Sequence, residues 1–363
     1  MKQIIEDRRA LHRIPEIDRE LDRTIAYLRS VLKPLRCKLF SPIPNSLCAF
    51  FDNGSKRTYA FRSGCDALPI HERTFLPFSS NIPGQMHACG HDGHMAMLLE
   101  LARRMHEKRA NANILLVFQP AEETTGGARD ICKSGVFEEY NVDAIFGLHL
   151  WPELPLGVIA SRECEMMSQS CEVSVRISGR SVSAAKAADG VDALRAGVEF
   201  YRRAMEIEAA YPAGIYRMLH FGKIRSGNAC NTVSDHTKIE GTLRAFSGKV
   251  FDDILENLRI AAKDISDESG CKIDIETSMG YPAVINSEDL YYRVLNSDIR
   301  FELLEKPVMT TEDFSWYQEH LQGMFFFIGT GPGPELQADN FDFDESVLEK
   351  GADFLENLAL RLI

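Results

Sequence analysis

The stretch MHACGHDGHM, Met86 to Met95, brings a cysteine, Cys89, together with three histidines, His87, His91 and His94. Thiolate and neutral imidazole are the usual ligands of borderline-soft divalent ions, zinc first among them. Cys89 and His91 are two apart, so on a helix they would face away from each other; they converge on one ion only from a loop or an extended segment. The spacing places a helix start near Asp92, whose carboxylate suits an N-cap and whose helix N-terminus would help hold Cys89 as thiolate. On spacing alone, a metal site and a loop of surface histidines around a buried thiol are equally supported.

A second group lies in QPAEE, Gln119 to Glu123, which closes the apolar run ANILLVF. That position is the carboxyl end of a strand, where open α/β sheets place their ligands. Adjacent carboxylates project in different directions, so one can bind a metal while the other faces a water as general base. An isolated glutamate pair is otherwise a solvated loop. His149 sits in the apolar strand AIFGLHL and is a satisfied core residue unless it meets Cys89, His91 and Glu123 in space. Asp66, in RSGCDALPI, is by default a turn residue and alternatively the orienter of a ligand histidine.

The elements that must position these residues alternate along the chain. DRELDRTIAYLRSVLKPL and MAMLLELARRMHEK read as helices, and YAFRSG, ANILLVF and DAIFGLHL as strands apolar on both faces. That alternation predicts an α/β domain with a mostly parallel sheet. After about Met167 the pattern changes to CEVSVRISG, a helix from Gly190, YRMLHFGKI, HTKIEGTLRAF, a helix from Lys249 and CKIDIETSM. The order βαββαβ is ferredoxin-like, an α+β module of about 169–280 inserted into a domain formed by 1–168 and 281–363. GMFFFIGTG then reads as a buried strand and the last twenty residues as a closing helix.

With 363 residues the chain exceeds one typical domain. Its net charge of −12, from 41 basic against 53 acidic side chains, opposes binding to nucleic-acid phosphates. No apolar run approaches the roughly 18 residues of a bilayer span, and the charged N-terminal stretch MKQIIEDRRALHR does not resemble a secretory signal. Nine cysteines without CxxC spacing read as reduced thiols, which together places the protein in the cytoplasm.

Taken together, the motifs resemble those of the aminoacylase and carboxypeptidase family of zinc peptidases, in the branch that holds hippurate hydrolase, indole-acetyl-amino-acid hydrolases and N-acetyldiaminopimelate deacetylase. The resemblance runs through LHRIPE (Leu11 to Glu16), MHACGHDGHMAMLL, FQPAEE, GLHLWPELPLG, GNACNTVSDHTKIEGTLRAF, TTEDFSWY and FDFDE. It implies a metal-dependent amidohydrolase that cleaves an N-acyl amino acid or dipeptide-like substrate and pairs as a homodimer through the inserted lid. Cys89, His91, Glu123 and His149 fall on ligand positions of a two-metal site, Glu122 on the general base and Asp66 on the carboxylate behind the ligands. Asn231 and Arg244 match positions that hold a substrate carboxylate or developing oxyanion, for which the arginine fork is suited. The implied ion is zinc, with manganese, cobalt or nickel as alternatives.

Three positions depart from that pattern. Gln337, in PELQADNFDFDE, stands where the family has its last ligand histidine, and an amide oxygen is a poor donor for zinc beside thiolate and imidazole. One of the two ions is therefore expected to bind weakly or not at all. Ser183, in GRSVSAAKAADG, replaces a histidine that reaches the tetrahedral intermediate across the dimer; losing such a donor costs roughly 10²–10³ in rate. Gly64 stands where the branch has an aspartate. Three readings follow: an amidohydrolase with an altered site, a non-catalytic relative that binds an acyl-amino acid or peptide, and a redox protein using Cys89. The intact Glu122-Glu123 pair supports the first, because a binding protein needs no general base. Glu312 and Asp313 read equally as site neighbours or helix caps.

Overall fold

The structure is a computed structural model and describes residues 2–362. The chain divides into two compact units: one comprises 1–166, 284–307 and 312–363, the other 167–283 and 308–311. The sequence boundaries, at 168/169 and 280/281, lie two to three residues from the observed ones. Residues 308–311 join the second unit because Met167 bridges to Val308 and the Ser168 N–H donates to the Thr310 carbonyl at 3.0 Å. Pairing across that many intervening residues leaves no local trace in a sequence.

The first unit is built on an eight-stranded mixed sheet. Its centre is parallel: Asn113–Gln119, Thr58–Gly64, Val142–Trp151 and Gln322–Gly329 run side by side in that order. Every residue of Thr58–Gly64 and Asn113–Gln119 is buried, as expected for parallel strands covered on both faces. The parallel pairing requires a crossover between those two strands, which the helix His91–Glu107 supplies. That helix packs on Gln3–His12 and Ser346–Arg361, and at Gly351 an added Cβ would lie 2.1 Å from Met97 Sδ. Phe61, Phe118 and Phe146 are each fully buried around it, which stabilises the unit by about 1.5–3 kcal/mol apiece.

The helix begins one residue earlier than its sequence suggests, and Asp92 is not its cap. Gly90 precedes the first turn at φ +80°, where an added Cβ would lie 2.7 Å from Leu150 Cδ1, and no side chain caps the helix. The Asp92 carboxylate instead accepts from Arg8 at 3.1 Å and from His12 at 2.9 Å. The buried arginine and histidine, which also pair with Asp342 and Glu72, supply this buried carboxylate with counter-charges that the local backbone could not.

The second unit is a four-stranded antiparallel sheet in the order Lys272–Thr277, Gln169–Ser178, His236–Ala245, Arg217–Ser226. Cys171, Val173, Val175 and Ile177 alternate inward and pack with residues of the helices Ala193–Ala209 and Gly248–Ser269, among them Phe200, Ile254 and Leu258. Strand order and connection order together are ferredoxin-like.

Candidate metal centre

The parallel strands deliver their carboxyl ends to one place. Asp66 follows Thr58–Gly64, and its carboxylate accepts the Glu122 N–H at 2.9 Å and the Glu123 N–H at 3.0 Å. Its main-chain carbonyl accepts from His91 Nδ1 at 2.7 Å, whereas the carboxylate is 3.8 Å from that ring. Asp66 therefore positions both the histidine and the glutamate pair, the histidine through its backbone. Burial pushes its carboxyl up to about 6, opposed by the two N–H donors.

QPAEE is tightly constrained. Ala121 adopts φ +58°, and its N–H donates to Asp18 at 3.1 Å. An added Cβ on Gly127 would lie 2.0 Å from the Pro120 carbonyl oxygen. The turn thus presents Glu122 and Glu123 with little freedom to rotate the backbone.

His149, near the end of Val142–Trp151, donates Nδ1–H to its neighbour Leu150 O at 2.7 Å, and its Nε2 lies 3.5 Å from Cys89 Sγ. Both His91 and His149 thus carry their proton on Nδ1, which frees each Nε2 lone pair. Burial lowers the pKa of both rings, so they are neutral, the form that ligates metals. His91 Nε2 and Glu123 Oε1 are buried without a hydrogen-bond partner. Donor atoms of Cys89, His91 and His149 lie within 4.8 Å of one another, as do those of His91, Glu122 and Glu123. Orphaned lone pairs on a thiol–imidazole–carboxylate set are what a divalent ion would satisfy.

Cys89 does not match its expectation. Burial, then Glu123 and Glu122, raise its pKa well above the ordinary thiol value, so the helix N-terminus does not hold a thiolate by itself. Ionisation there requires a cation beside the sulfur. His94 is committed elsewhere: its Nε2 accepts the Leu150 N–H at 3.0 Å.

On the other side of Glu122, Glu312 and Asp313 are site neighbours, one of the two readings their motif allowed, but the Arg62 that joins them was missed from the sequence. Arg62, wholly buried in Thr58–Gly64, binds Glu312 at 2.9 Å, Asp313 at 2.6 Å and Gln119 Oε1 at 2.7 Å. Glu122, Glu312 and Asp313 bring carboxylate oxygens within 4.8 Å of one another. Burial, then Glu312, Glu123 and Asp313, raise the pKa of Glu122 well above the carboxylate range, with Arg62 opposing. A lone arginine in the apolar strand YAFRSG was the available signal, because a buried charge must find partners.

The chain matches the family described as Peptidase family M20/M25/M40 over residues 60–361. It belongs to that family. N-acetyldiaminopimelate deacetylase of Lactobacillus helveticus is 31% identical over 375 residues, covering 99% of this chain and 97% of the relative. A dinuclear metal-binding M20 peptidase of Bacillus subtilis superposes with a TM-score of 0.85 at 26% identity, covering 98% and 96%. A solved structure from methicillin-resistant Staphylococcus aureus reaches 0.91 at 25% identity, covering 98% and 95%. Membership of this family supports a hydrolase that acts on amide bonds, and the dinuclear relative supports a divalent metal.

The remaining positions that the sequence picked out fall in two places. Gln337 adopts φ +65°, its N–H donates to Ala88 O at 2.8 Å, and its side-chain amide donates to Glu123 Oε2 at 3.0 Å. Ser183, Asn231 and Arg244 belong to the second unit of the M20 chain. The first two are neighbours and exposed: Ser183 bridges to Thr232, and Ala184 N–H donates to Asn231 O at 2.9 Å. Arg244 donates to Met309 O at 2.5 Å and leaves its Nε buried without a partner.

Proposed function

We propose that this chain hydrolyses the amide bond of an N-acyl amino acid or small dipeptide-like substrate, with Glu122 as general base. The observation that carries this reading is the placement of Glu122: its Oε2 lies 3.6 Å from His91 Nε2, on the edge of the thiol–imidazole set. Cys89, His91, His149 and Glu123 would hold a divalent ion, zinc by the softness of the donors, with manganese, cobalt and nickel as alternatives. Such an ion supplies polarisation of the scissile carbonyl and acidification of a water.

Glu122 takes one proton from that water as its oxygen bonds to the carbonyl carbon, then delivers the proton to the amine nitrogen as the C–N bond breaks. That role requires Glu122 to begin ionised, which Arg62 and a bound cation would favour against burial and the neighbouring carboxylates. Asp66 keeps the base and His91 in register. Arg244 would receive the substrate's carboxylate through its fork; Asn231, beyond the opposite end of His236–Ala245 and so about 20 Å or more away, cannot share that contact within one chain. Gln337 and Ser183 make the site atypical, so the rate is expected to fall below that of a site with histidines there.

The reading extends to a cytoplasmic homodimer. All nine cysteines are free. Leu194, Val198 and Tyr201, at helical spacing on Ala193–Ala209, are 47%, 56% and 46% exposed, and the edge strand Arg217–Ser226 exposes Ile224. An apolar stripe beside an unpaired strand edge is what self-association would cover. Sedimentation as a monomer would count against it.

The deciding experiment is metal analysis of protein purified without chelator, together with hydrolysis of N-acetyl, N-benzoyl and dipeptide substrates. Glu122→Gln should lower turnover by about 10²–10⁴ with metal content unchanged. Metal-free protein that binds substrates without turning them over would instead identify a binding protein.

A further inference from the structure

Three groups of donor atoms meet at the centre among the described residues, and the two that contain an imidazole share it. His91 belongs both to the set with Cys89 and His149 and to the set with Glu122 and Glu123. An imidazole nitrogen has a single lone pair and cannot bridge two ions, and the other nitrogen of His91 gives its proton to Asp66 O. Assigned to the first set, His91 leaves the second with two carboxylates. His94 cannot replace it, since its Nε2 is taken by the Leu150 N–H.

The carboxylate of Glu123 is itself divided. Oε1 is buried without a hydrogen-bond partner, whereas Oε2 accepts from the Gln337 amide at 3.0 Å. Gln337 is held for that contact in the left-handed region, at φ +65°, which costs a non-glycine residue roughly 1–2 kcal/mol. Its N–H on Ala88 O, one residue before Cys89, ties the amide to the ligand loop.

We propose that the centre binds one divalent ion per chain, on Cys89, His91 and His149, and that the Gln337 amide occupies the flank of Glu123 that a second ion, left with the carboxylates of Glu122 and Glu123, would need. The inference rests on the metal-hydrolase reading above and sets this chain apart from the dinuclear Bacillus subtilis relative. Gln337 thereby holds the outer oxygen of Glu123 in place with a neutral hydrogen bond.

The test uses the full chain, reconstituted with excess zinc, in elemental analysis and native mass spectrometry, and with cobalt(II) followed by its thiolate charge-transfer absorption. One ion per chain is expected, with the cobalt band saturating at one equivalent and disappearing in Cys89→Ser. Gln337→His should raise the count to two. Two tightly held ions in the unaltered chain overturn the proposal while leaving the metal-hydrolase reading intact. Cobalt bound without the charge-transfer band overturns the ligand assignment, and a count of one in Gln337→His overturns the role given to Gln337. No bound ion at all overturns both readings.

Discussion

Replacing His12 by leucine removes an anchor of the helix that begins with His91. His12 is 1% exposed and bridges two carboxylates, Asp92 at 2.9 Å through Nδ1 and Glu72 at 3.1 Å through Nε2. Burial alone would depress its pKa; Asp92 and then Glu72 override burial and raise it from the ordinary 6.5 to about 9. A rise of that size corresponds to about 3 kcal/mol of stability carried by the charged ring. After substitution Asp92 keeps Arg8 at 3.1 Å, so the cost stays toward or below the low end of the roughly 3–5 kcal/mol seen when a buried charge loses its partner.

The pH dependence has a definite sign. Because the folded pKa of His12 is raised, its contribution is fully present below 6.5 and is lost as pH rises through about 9. Glu72 is the opposite case: burial raises its pKa, but His12, Thr74 and the Ser80 N–H outweigh it and hold the carboxyl at about 2, below its ordinary 4.5. Its contribution is present above 4.5 and is lost as pH falls through about 2. Both terms are therefore intact between 4.5 and 6.5. Urea unfolding should show His12→Leu about 2–3 kcal/mol less stable near pH 6, with the gap shrinking to well under half near pH 10. A gap of equal size at both pH values would refute the assignment of a charged His12 between the carboxylates.

Other perturbations address the site directly. In Gly64→Ala the new Cβ would lie 2.8 Å from His91 Cε1, pushing the ring off Asp66 O; metal affinity by chelator competition should fall about 10–100-fold, and an unchanged affinity would mean the ring has room to yield. Gly127→Ala presses on the Pro120 carbonyl from 2.0 Å and should cost about 1–3 kcal/mol in chemical denaturation while lowering turnover; wild-type values for both would contradict the constraint placed on QPAEE. Arg62→Met strands Glu312 and Asp313 without their cation and should destabilise the fold by about 3–5 kcal/mol at neutral pH, with Arg62→Lys recovering part of the loss; a neutral effect in thermal unfolding would show that Arg62 is not their counter-charge.

Periodicity and motif spacing, which are local properties, determined much of this protein. Both-faced apolar runs imposed the parallel strands, period two imposed the half-buried strand Gln169–Ser178, and motif order identified the family and marked Cys89, His91, Glu122, Glu123 and His149. Other features were decided by tertiary structure. Asp92 looked like a cap until Arg8 and His12 reached it from another helix. Asp66 looked like a partner for histidine, yet its carboxylate faces the Glu122 and Glu123 amides, and its backbone serves His91. Arg62 acquired its role only when Glu312 and Asp313 came to it from some 250 residues away in the chain. Gln337 could be seen as a departure, but the bond from its amide to Glu123 depends on backbone held at Ala88. Side-chain types and their order say which groups are available. Lone-pair direction, tautomer and ionisation are set by whichever distant neighbours share the same buried space, because in a low-dielectric interior an unsatisfied charge or hydrogen bond costs more than any local preference.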